Sequence, residues 1–293
     1  MIYQHPLAFL LGLEGVALMR AFNGDYDEEF TRARIAEIRA LLDSAGQLGE
    51  GVETRPVTTA EGYAAWSWDY DERNDLNDLE QPVIRRILDE LPAGAALDAA
   101  CGTGRHAAYL SSLGHAVVGV DISPQMLDVA RAKVGGADFR EGDLHQLPVA
   151  DQSVDLVVCA LALTHVPDLG PVLAEFARVL RPGGHLVISD SRMKYRIVQA
   201  LAGGGYGYLP HYNRFTSEYL VSALPLGFQV RHCEELRAGW SDPDDARPPV
   251  RILPEHPSDI WTLQDWCPAA TQAARNGNPV LIFWHFQLEP GSS

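Results

Sequence analysis

Basic residues are scarce in this chain: 23 Lys and Arg stand against 39 Asp and Glu, a formal net charge of −16. Gripping a nucleic acid backbone depends on Lys and Arg neutralising phosphates. No basic cluster occurs anywhere, so no nucleic acid partner is expected, and an acidic surface serves solubility instead. Cysteine is sparse too. Cys101, Cys159, Cys233 and Cys267 lie far apart and form no CxxC pair, which argues against a zinc site and a disulfide framework and fits a reducing cytoplasm. Long apolar runs are missing: Pro6 to Met19 is too short to cross a bilayer, is interrupted by Glu14, and has no Lys or Arg before it to make a secretory signal. The expectation is therefore a cytoplasmic protein with no membrane partner. HExxH and other metal-ligand spacings are missing as well, so no metal is expected.

What is present is organised around Ala96-Leu97-Asp98-Ala99-Ala100-Cys101-Gly102-Thr103-Gly104-Arg105-His106-Ala107. It reads as a short apolar strand, a glycine turn and the opening of a helix. Glycine suits a turn where a ligand approaches bare backbone and φ turns positive. The helix N-terminus then offers free N–H groups to polar or anionic parts of that ligand. Gly102-x-Gly104-x-x-Ala107 by itself also fits the dinucleotide fingerprint. The acidic residues that follow narrow the choice. Asp98 lies on the strand before the turn, Asp121 ends the next apolar run 23 residues on, and Asp143 comes 22 residues later. Three carboxylates at the ends of successive strands line one edge of a parallel sheet, the edge at which open α/β sheets bind ligands. A carboxylate after the second strand suits a ribose diol. One on the first strand suits a ligand with an ammonium group, which nicotinamide dinucleotides lack.

Four blocks in order carry a resemblance: LDAACGTGRHA (97–107), VVGVDISPQML (117–127), FREGDLHQLPVADQSVDLVVCALALTHV (139–166) and RVLRPGGHLVISD (178–190). With them the chain resembles the class I S-adenosylmethionine-dependent methyltransferases, in particular the small-molecule branch similar to the ubiquinone/menaquinone enzymes. The resemblance implies S-adenosylmethionine as cofactor and an α/β fold: a doubly wound, mostly parallel seven-stranded sheet with an antiparallel last strand. It assigns Asp98 and the backbone from Ala100 to Gly102 to the methionine end and Asp121 to the ribose hydroxyls. Ile122 and Met126 would flank adenine, Asp143 would take its amino group with the Leu144 backbone beside it, and Ala160 would complete the wall. The Asn/Asp-Pro-Pro-Tyr motif of amino-methylating nucleic acid enzymes is missing; Ala160-Leu161-Ala162-Leu163-Thr164 stands in its place.

Along the chain, Pro6 to Ala21 has a helical pattern apolar on almost every side, which implies burial all round, beneath a cap or against a partner subunit. A second helix follows from about Asp27 to Asp43, and residues 1–60 read as an N-terminal helical extension to a methyltransferase domain over 61–293. A homodimer through these helices is one arrangement this allows. Tyr63, Trp66 and Tyr70 belong to an aromatic segment that related methyltransferases place over the cofactor and substrate mouth; plain packing of a lid helix is the alternative. From Ala95 to Asp190 strands alternate with helices, implying right-handed βαβ units, with Arg181-Pro182-Gly183-Gly184 as a tight turn. Residues 191–216, rich in Tyr, Gly and His, read as an insert walling the substrate pocket, with flexible glycines suited to a closing lid and Tyr208 and Tyr212 toward substrate; a surface loop is the alternative, and Arg214 could bind a substrate carboxylate or be solvated surface charge. A helix over 258–275 and a strand over 279–288 end the domain.

Methyl transfer from a sulfonium is an in-line displacement, so orientation and exclusion of water are the main tasks. A base is needed only where the acceptor must lose a proton. His165, just beyond the fourth strand, is the leading candidate, with Asp190 and His211 behind it. The expected function is methyl transfer to a small-molecule acceptor, oxygen slightly ahead of nitrogen. Transfer of the aminocarboxypropyl chain, a non-catalytic binding protein and an NAD-dependent oxidoreductase are the alternatives.

Overall fold

The computed structural model describes residues 1–66, 75–192, 198–201, 203–237, 248–253 and 259–290. In chain order the first elements are β1 (Ile2–Gln4), α1 (Pro6–Phe22), α2 (Glu28–Asp43), α3 (Ala45–Leu48), β2 (Val52–Pro56), α4 (Thr59–Trp66) and α5 (Asp75–Leu88). The alternating segment then gives β3 (Ala95–Ala99), α6 (Arg105–Ser112), β4 (Ala116–Asp121), α7 (Pro124–Lys133), β5 (Asp138–Glu141), β6 (Val154–Ala160), α8 (Leu169–Val179) and β7 (Leu180–Ser191). The remainder is β8 (Val198–Ala200), β9 (Tyr206–Tyr208), α9 (Thr216–Ala223), β10 (Phe228–Arg237), α10 (Ile260–Gln264), α11 (Pro268–Arg275) and β11 (Pro279–Leu288). No helix among the described residues is long and apolar enough to cross a membrane.

The chain divides into two compact units. One comprises Met1–Val57, Ile197–Tyr208 and Arg237–Asn278. It thus gathers, with the N-terminal segment, two stretches that the sequence grouped with the rest of the chain. It is not purely helical, as the sequence implied: β1, β2, β9 and β8 form a four-stranded sheet in that order. Strands of three to five residues drawn from three distant stretches leave no alternation long enough to read. Leu10, Leu13 and Ala17 of α1 bury against Leu41, Leu263, Trp266 and Ala270. Yet α1 is not covered on every side, because Met19 is 68% and Phe22 93% exposed. The single helix expected over 258–275 is two, with Pro268 starting the second at its first turn.

The other unit, Thr58–Arg196, Leu209–Leu236 and Pro279–Ser293, holds a seven-stranded sheet in the order β10-β11-β7-β6-β3-β4-β5. Neighbours from β7 to β5 run parallel and β11 pairs antiparallel with β7, as the resemblance implied. Helices start where the sequence provides caps: Ser123 accepts the Met126 N–H ahead of Pro124 on α7, and Asp168 accepts the Gly170 N–H on α8. Residues 181–184 are not a free turn but part of β7, beside a register shift on β6 between Val154 and Leu156. One face of the sheet packs Val172, Leu173 and Phe176 of α8 with Tyr219 and Trp284; the other packs Ile84 and Leu88 of α5 with Ala107, Leu110, Leu127 and Ala130. Since β3–β5 build outward in one direction and β6–β7 in the other, the C-terminal ends of β3 and β6 form the topological switch point.

Candidate active site

At that switch point lies a cleft whose space between atoms, open mouth included, is about 850 Å³. Its floor is the glycine loop. Gly102 (φ +52°) and Gly104 (φ +80°) adopt the left-handed backbone that glycine tolerates. A Cβ added to Gly102 would meet nothing within 4 Å, whereas one on Gly104 would press on Ala130 and Val134 at 3.2 Å. The first glycine thus presents bare backbone to the cleft and the second admits close packing of α7. Ala100 (φ +59°) and Leu161 (φ +57°) are left-handed without being glycine, and both line the cleft. Strained non-glycine backbone persists only where its surroundings over-determine it.

Asp121 ends β4 and lines the cleft. One carboxylate oxygen accepts the Gly102 N–H at 2.8 Å and the other the Ser123 N–H at 2.9 Å. Burial raises its pKa, opposed by hydrogen bonds from the Ser123, Gly102 and Ile122 N–H groups. Ile122, Met126, Leu144 and Ala160 line the cleft. Asp143 lines it too, but its carboxylate is already engaged: Oδ1 accepts the His145 backbone N–H at 2.8 Å and faces the His145 ring at 2.6 Å. Partial burial would raise its pKa; the hydrogen bonds and charge from His145 outweigh that and lower it.

Tyr63 and His165 also line the cleft. His165 Nδ1 lies 2.7 Å from the Pro210 carbonyl oxygen. A carbonyl only accepts, so Nδ1 carries the proton, and in the neutral ring, which burial favours, Nε2 is an acceptor. Tyr63 Oη, 2.9 Å from Nε2, is then the donor. Burial lowers the His165 pKa, the Pro210 carbonyl opposes that, and nearby His211 adds to the lowering. Gly62 allows this approach, because a Cβ there would collide with the Leu209 side chain.

Other expected site residues lie elsewhere. Asp98 is 1% exposed and does not line the cleft. It takes a hydrogen bond from the Ala107 N–H, its Oδ2 is buried without a partner, and burial pushes its pKa up to about 6 against the pull of His106 and Arg105. Asp190 is buried as well. It accepts the Thr164 and Ser191 N–H groups and the Tyr219 hydroxyl, at 2.9, 2.9 and 2.5 Å. This fixes the 163–165 turn and leaves no path to substrate. His211 contacts the Thr164 hydroxyl and Asn213 rather than the cleft. Arg214 is buried with its guanidinium donating to the carbonyls of Leu163 and Val166, so it is a structural clamp and not a receptor for a substrate carboxylate. Tyr212 donates its N–H to the Thr164 carbonyl at 2.8 Å and is not among the residues lining the cleft. Tyr208 belongs to the other unit, on β9. Tyr70 and the Trp66 side chain lie outside the described residues. Cys101 is buried, which drives its thiol pKa far up, so it packs and does not attack.

The sequence reading missed Glu80. From α5 it reaches Arg105 at 2.5 Å, His106 at 3.1 Å and the Ser189 hydroxyl at 2.9 Å. Burial opposes its charge, but His106 and Arg105 outweigh that and hold its carboxyl at about 2. This ties the first turn of α6, and with it the glycine loop, to the end of β7. An acidic residue in an amphipathic helix 25 positions from its partner gives no local signal. His145 was also missed, although its place two residues after Asp143 on a loop marks it for a local hydrogen bond.

An open, doubly wound α/β sheet with a glycine loop and strand-end carboxylates at its switch point defines a nucleotide-binding enzyme fold. Residues 97–188 match the model of a methyltransferase domain. The malonyl-[acyl-carrier protein] O-methyltransferase of Hamiltonella defensa is 32% identical over 189 residues, 63% of this chain and 71% of that protein. The enzyme of the same name from Yersinia pestis is 43% identical over 93 residues, 32% of this chain but only 35% of its own length. The chain spans about a third to a half of the length of several curated relatives. A crystal structure of an S-adenosylmethionine-dependent methyltransferase from Mesorhizobium loti shares the fold, with TM-score 0.51 and 22% identity over 71% of this chain and 97% of that one. The chain belongs to the class I S-adenosylmethionine-dependent methyltransferase family, whose cofactor is S-adenosylmethionine. The site fits that cofactor: the bare Gly102 backbone opens onto the cleft, Asp121 faces it, and Ile122 and Met126 offer an apolar wall.

Proposed function

We propose that this protein transfers a methyl group from S-adenosylmethionine to an oxygen of a small-molecule acceptor. The observation that carries the reading is a cleft-lining His165 whose Nε2 lies 2.9 Å from the hydroxyl of Tyr63, which lines the same cleft. When bound, S-adenosylmethionine supplies the electrophilic methyl. Asp121 would hold the ribose hydroxyls, the Gly102 backbone the methionine end, and Asp143 and Leu144 the adenine edge. Asp98, buried behind the loop, would act on the methionine end through the backbone and the first turn of α6. A formal charge of −16 supports an acceptor other than nucleic acid.

The relatives' names favour a second reading, in which the acceptor is a carboxylate on an acyl-carrier thioester. A carboxylate is already ionised and asks for no base, so His165 would then only shape the wall. Incubation with labelled cofactor separates the remaining rivals by product. Methyl transfer leaves S-adenosylhomocysteine, chain transfer leaves methylthioadenosine, and tight binding without turnover marks a non-catalytic protein. The exposed Val16, Met19 and Phe22 on α1 support pairing of two copies through the N-terminal helices; light scattering that gives a monomer mass at micromolar concentration sinks that part.

A further inference from the structure

Tyr63 and His165 both line the cleft, and they differ in how their polar atoms are engaged. His165 is held from behind. Its Nδ1–H points at the Pro210 carbonyl, and the segment bearing Pro210 is itself fastened, by the Tyr212 N–H to the Thr164 carbonyl and by the Arg214 guanidinium to the carbonyls of Leu163 and Val166. Turning the imidazole to offer Nδ1 would break its bond to the Pro210 carbonyl. Its remaining nitrogen, Nε2, lies 2.9 Å from the Tyr63 hydroxyl, the two rings being nearly perpendicular at 77°. Among the described residues, the charged and titratable groups around the ring are Tyr63 from α4, His211 with its ring centroid 6.5 Å away, and, through the 163–166 turn, Arg214 and Asp190. None of them places a carboxylate on Nδ1.

We infer that Tyr63 is the residue that takes the proton from the acceptor, with His165 as the sink behind it, and that the cleft is accordingly built for an alcohol or phenol. The inference rests on the reading of methyl transfer to oxygen. In the step, the acceptor O–H bond breaks and its proton goes to Tyr63 Oη, while the Tyr63 proton passes to His165 Nε2. The oxygen's electron pair forms the O–CH3 bond as the S–CH3 bond breaks and returns its pair to sulfur. The positive charge lost at sulfur reappears on an imidazolium whose Nδ1–H stays on Pro210, and the extra proton leaves to solvent. Tyr63 can take that proton only as it hands on its own, and His165 Nε2 is the acceptor beside it. General acid–base assistance of this kind is worth about 10²–10⁴ in rate.

The test begins without any acceptor. In the full chain labelled with ¹⁵N-histidine, His165 is expected at pH 7 as the neutral Nδ1–H tautomer. Tyr63→Phe should shift its Nε2 resonance and let the ring protonate at higher pH, since the lost bond favoured the neutral form. A protonated Nε2 or a charged ring at pH 7 overturns the inference. Next, turnover is read as S-adenosylhomocysteine with phenol, catechol, benzyl alcohol and 3-hydroxybutyryl-pantetheine, against malonyl-pantetheine as carboxylate probe. The expected result is turnover of hydroxyl probes that falls about 10²–10⁴-fold in both Tyr63→Phe and His165→Gln, with cofactor affinity within about twofold and the acid limb of the pH profile gone. Turnover of the carboxylate probe alone, or Tyr63→Phe with wild-type rate and acid limb, overturns it. Methylthioadenosine as product would instead sink the methyl-transfer reading, while the tautomer measurement still decides the hydrogen-bond chain.

Discussion

The Asp121 carboxylate accepts the Gly102 backbone N–H at 2.8 Å, so the end of β4 holds the turn that follows β3. One side chain thus shapes the floor of the cleft and presents charge to it. Asp121→Ala should weaken S-adenosylhomocysteine binding by about 1.5–3 kcal/mol through loss of charge-assisted hydrogen bonds. Isothermal calorimetry checks this, and unchanged affinity removes Asp121 from the ribose assignment.

Two glycines should fail in opposite ways. Gly102→Ala places a methyl in open space at φ +52°, costing roughly 1 kcal/mol of stability while obstructing the cofactor. Gly119→Ala drives a methyl to 2.5 Å from the Phe139 ring and 3.1 Å from Cys101 Sγ, an overpacking worth about 1–3 kcal/mol. Denaturant midpoints and S-adenosylhomocysteine affinities measured side by side should show the first variant losing mainly binding and the second mainly stability.

Arg214→Met should destabilise the protein by about 2–4 kcal/mol, because it strips the Leu163 and Val166 carbonyls of a charged donor. Lysine should not rescue it, since a single ammonium lacks the fork that spans both oxygens. Urea unfolding measures the loss. A variant of wild-type stability with only a raised acceptor KM would restore the substrate-binding role.

The stability contributed by three buried carboxyls should fall as pH rises from about 5 to 7, against an opposite contribution from His115, His165, His185 and His285, whose pKa values burial lowers. Glu14 is pushed up from 4.5 to about 7 by burial despite Arg34, and Asp98 and Asp190 from 3.8 to about 6. Between each pair of values the folded chain holds a proton that the unfolded chain has released, so unfolding gains at up to ~1.4 kcal/mol per pH unit per group. Glu80 has the opposite sign: held at about 2, its contribution is present above 4.5 and lost as pH falls toward 2. Urea midpoints at pH 5 and 7 should show Glu14→Gln gaining stability relative to wild type as pH rises, because the amide has no proton to lose.

The strands of the larger sheet were legible because β3, β4 and β6 are short apolar runs bounded by turn residues, and a strand-end carboxylate announces itself by its spacing. Asp121 and Asp143 reach the cleft for that reason. Asp190 has the same local signature, yet Tyr219 and the 164–165 turn cover it. Sequence shows where a strand ends, not what lies over the end. Arg214 was misread because a buried guanidinium on carbonyls and an exposed one awaiting an anion look alike in a string of letters. The Tyr63–His165 bond joins residues 102 positions apart through one closing contact, and no period or spacing encodes it. The four-stranded sheet escaped for a similar reason, since each short edge gains meaning only from partners far along the chain.

Four residues fasten the stretch from 210 to 214 to the 163–166 turn: Pro210 by its carbonyl, His211 by its ring, Tyr212 by its amide and Arg214 by its side chain. Those two stretches must travel as one body, since parting them would pull a cation out of its nest of oxygens. Whatever admits an acceptor therefore does so without swinging this wall aside, and variation in acceptor choice among relatives should track the helix that bears Tyr63 more closely than the histidine loop.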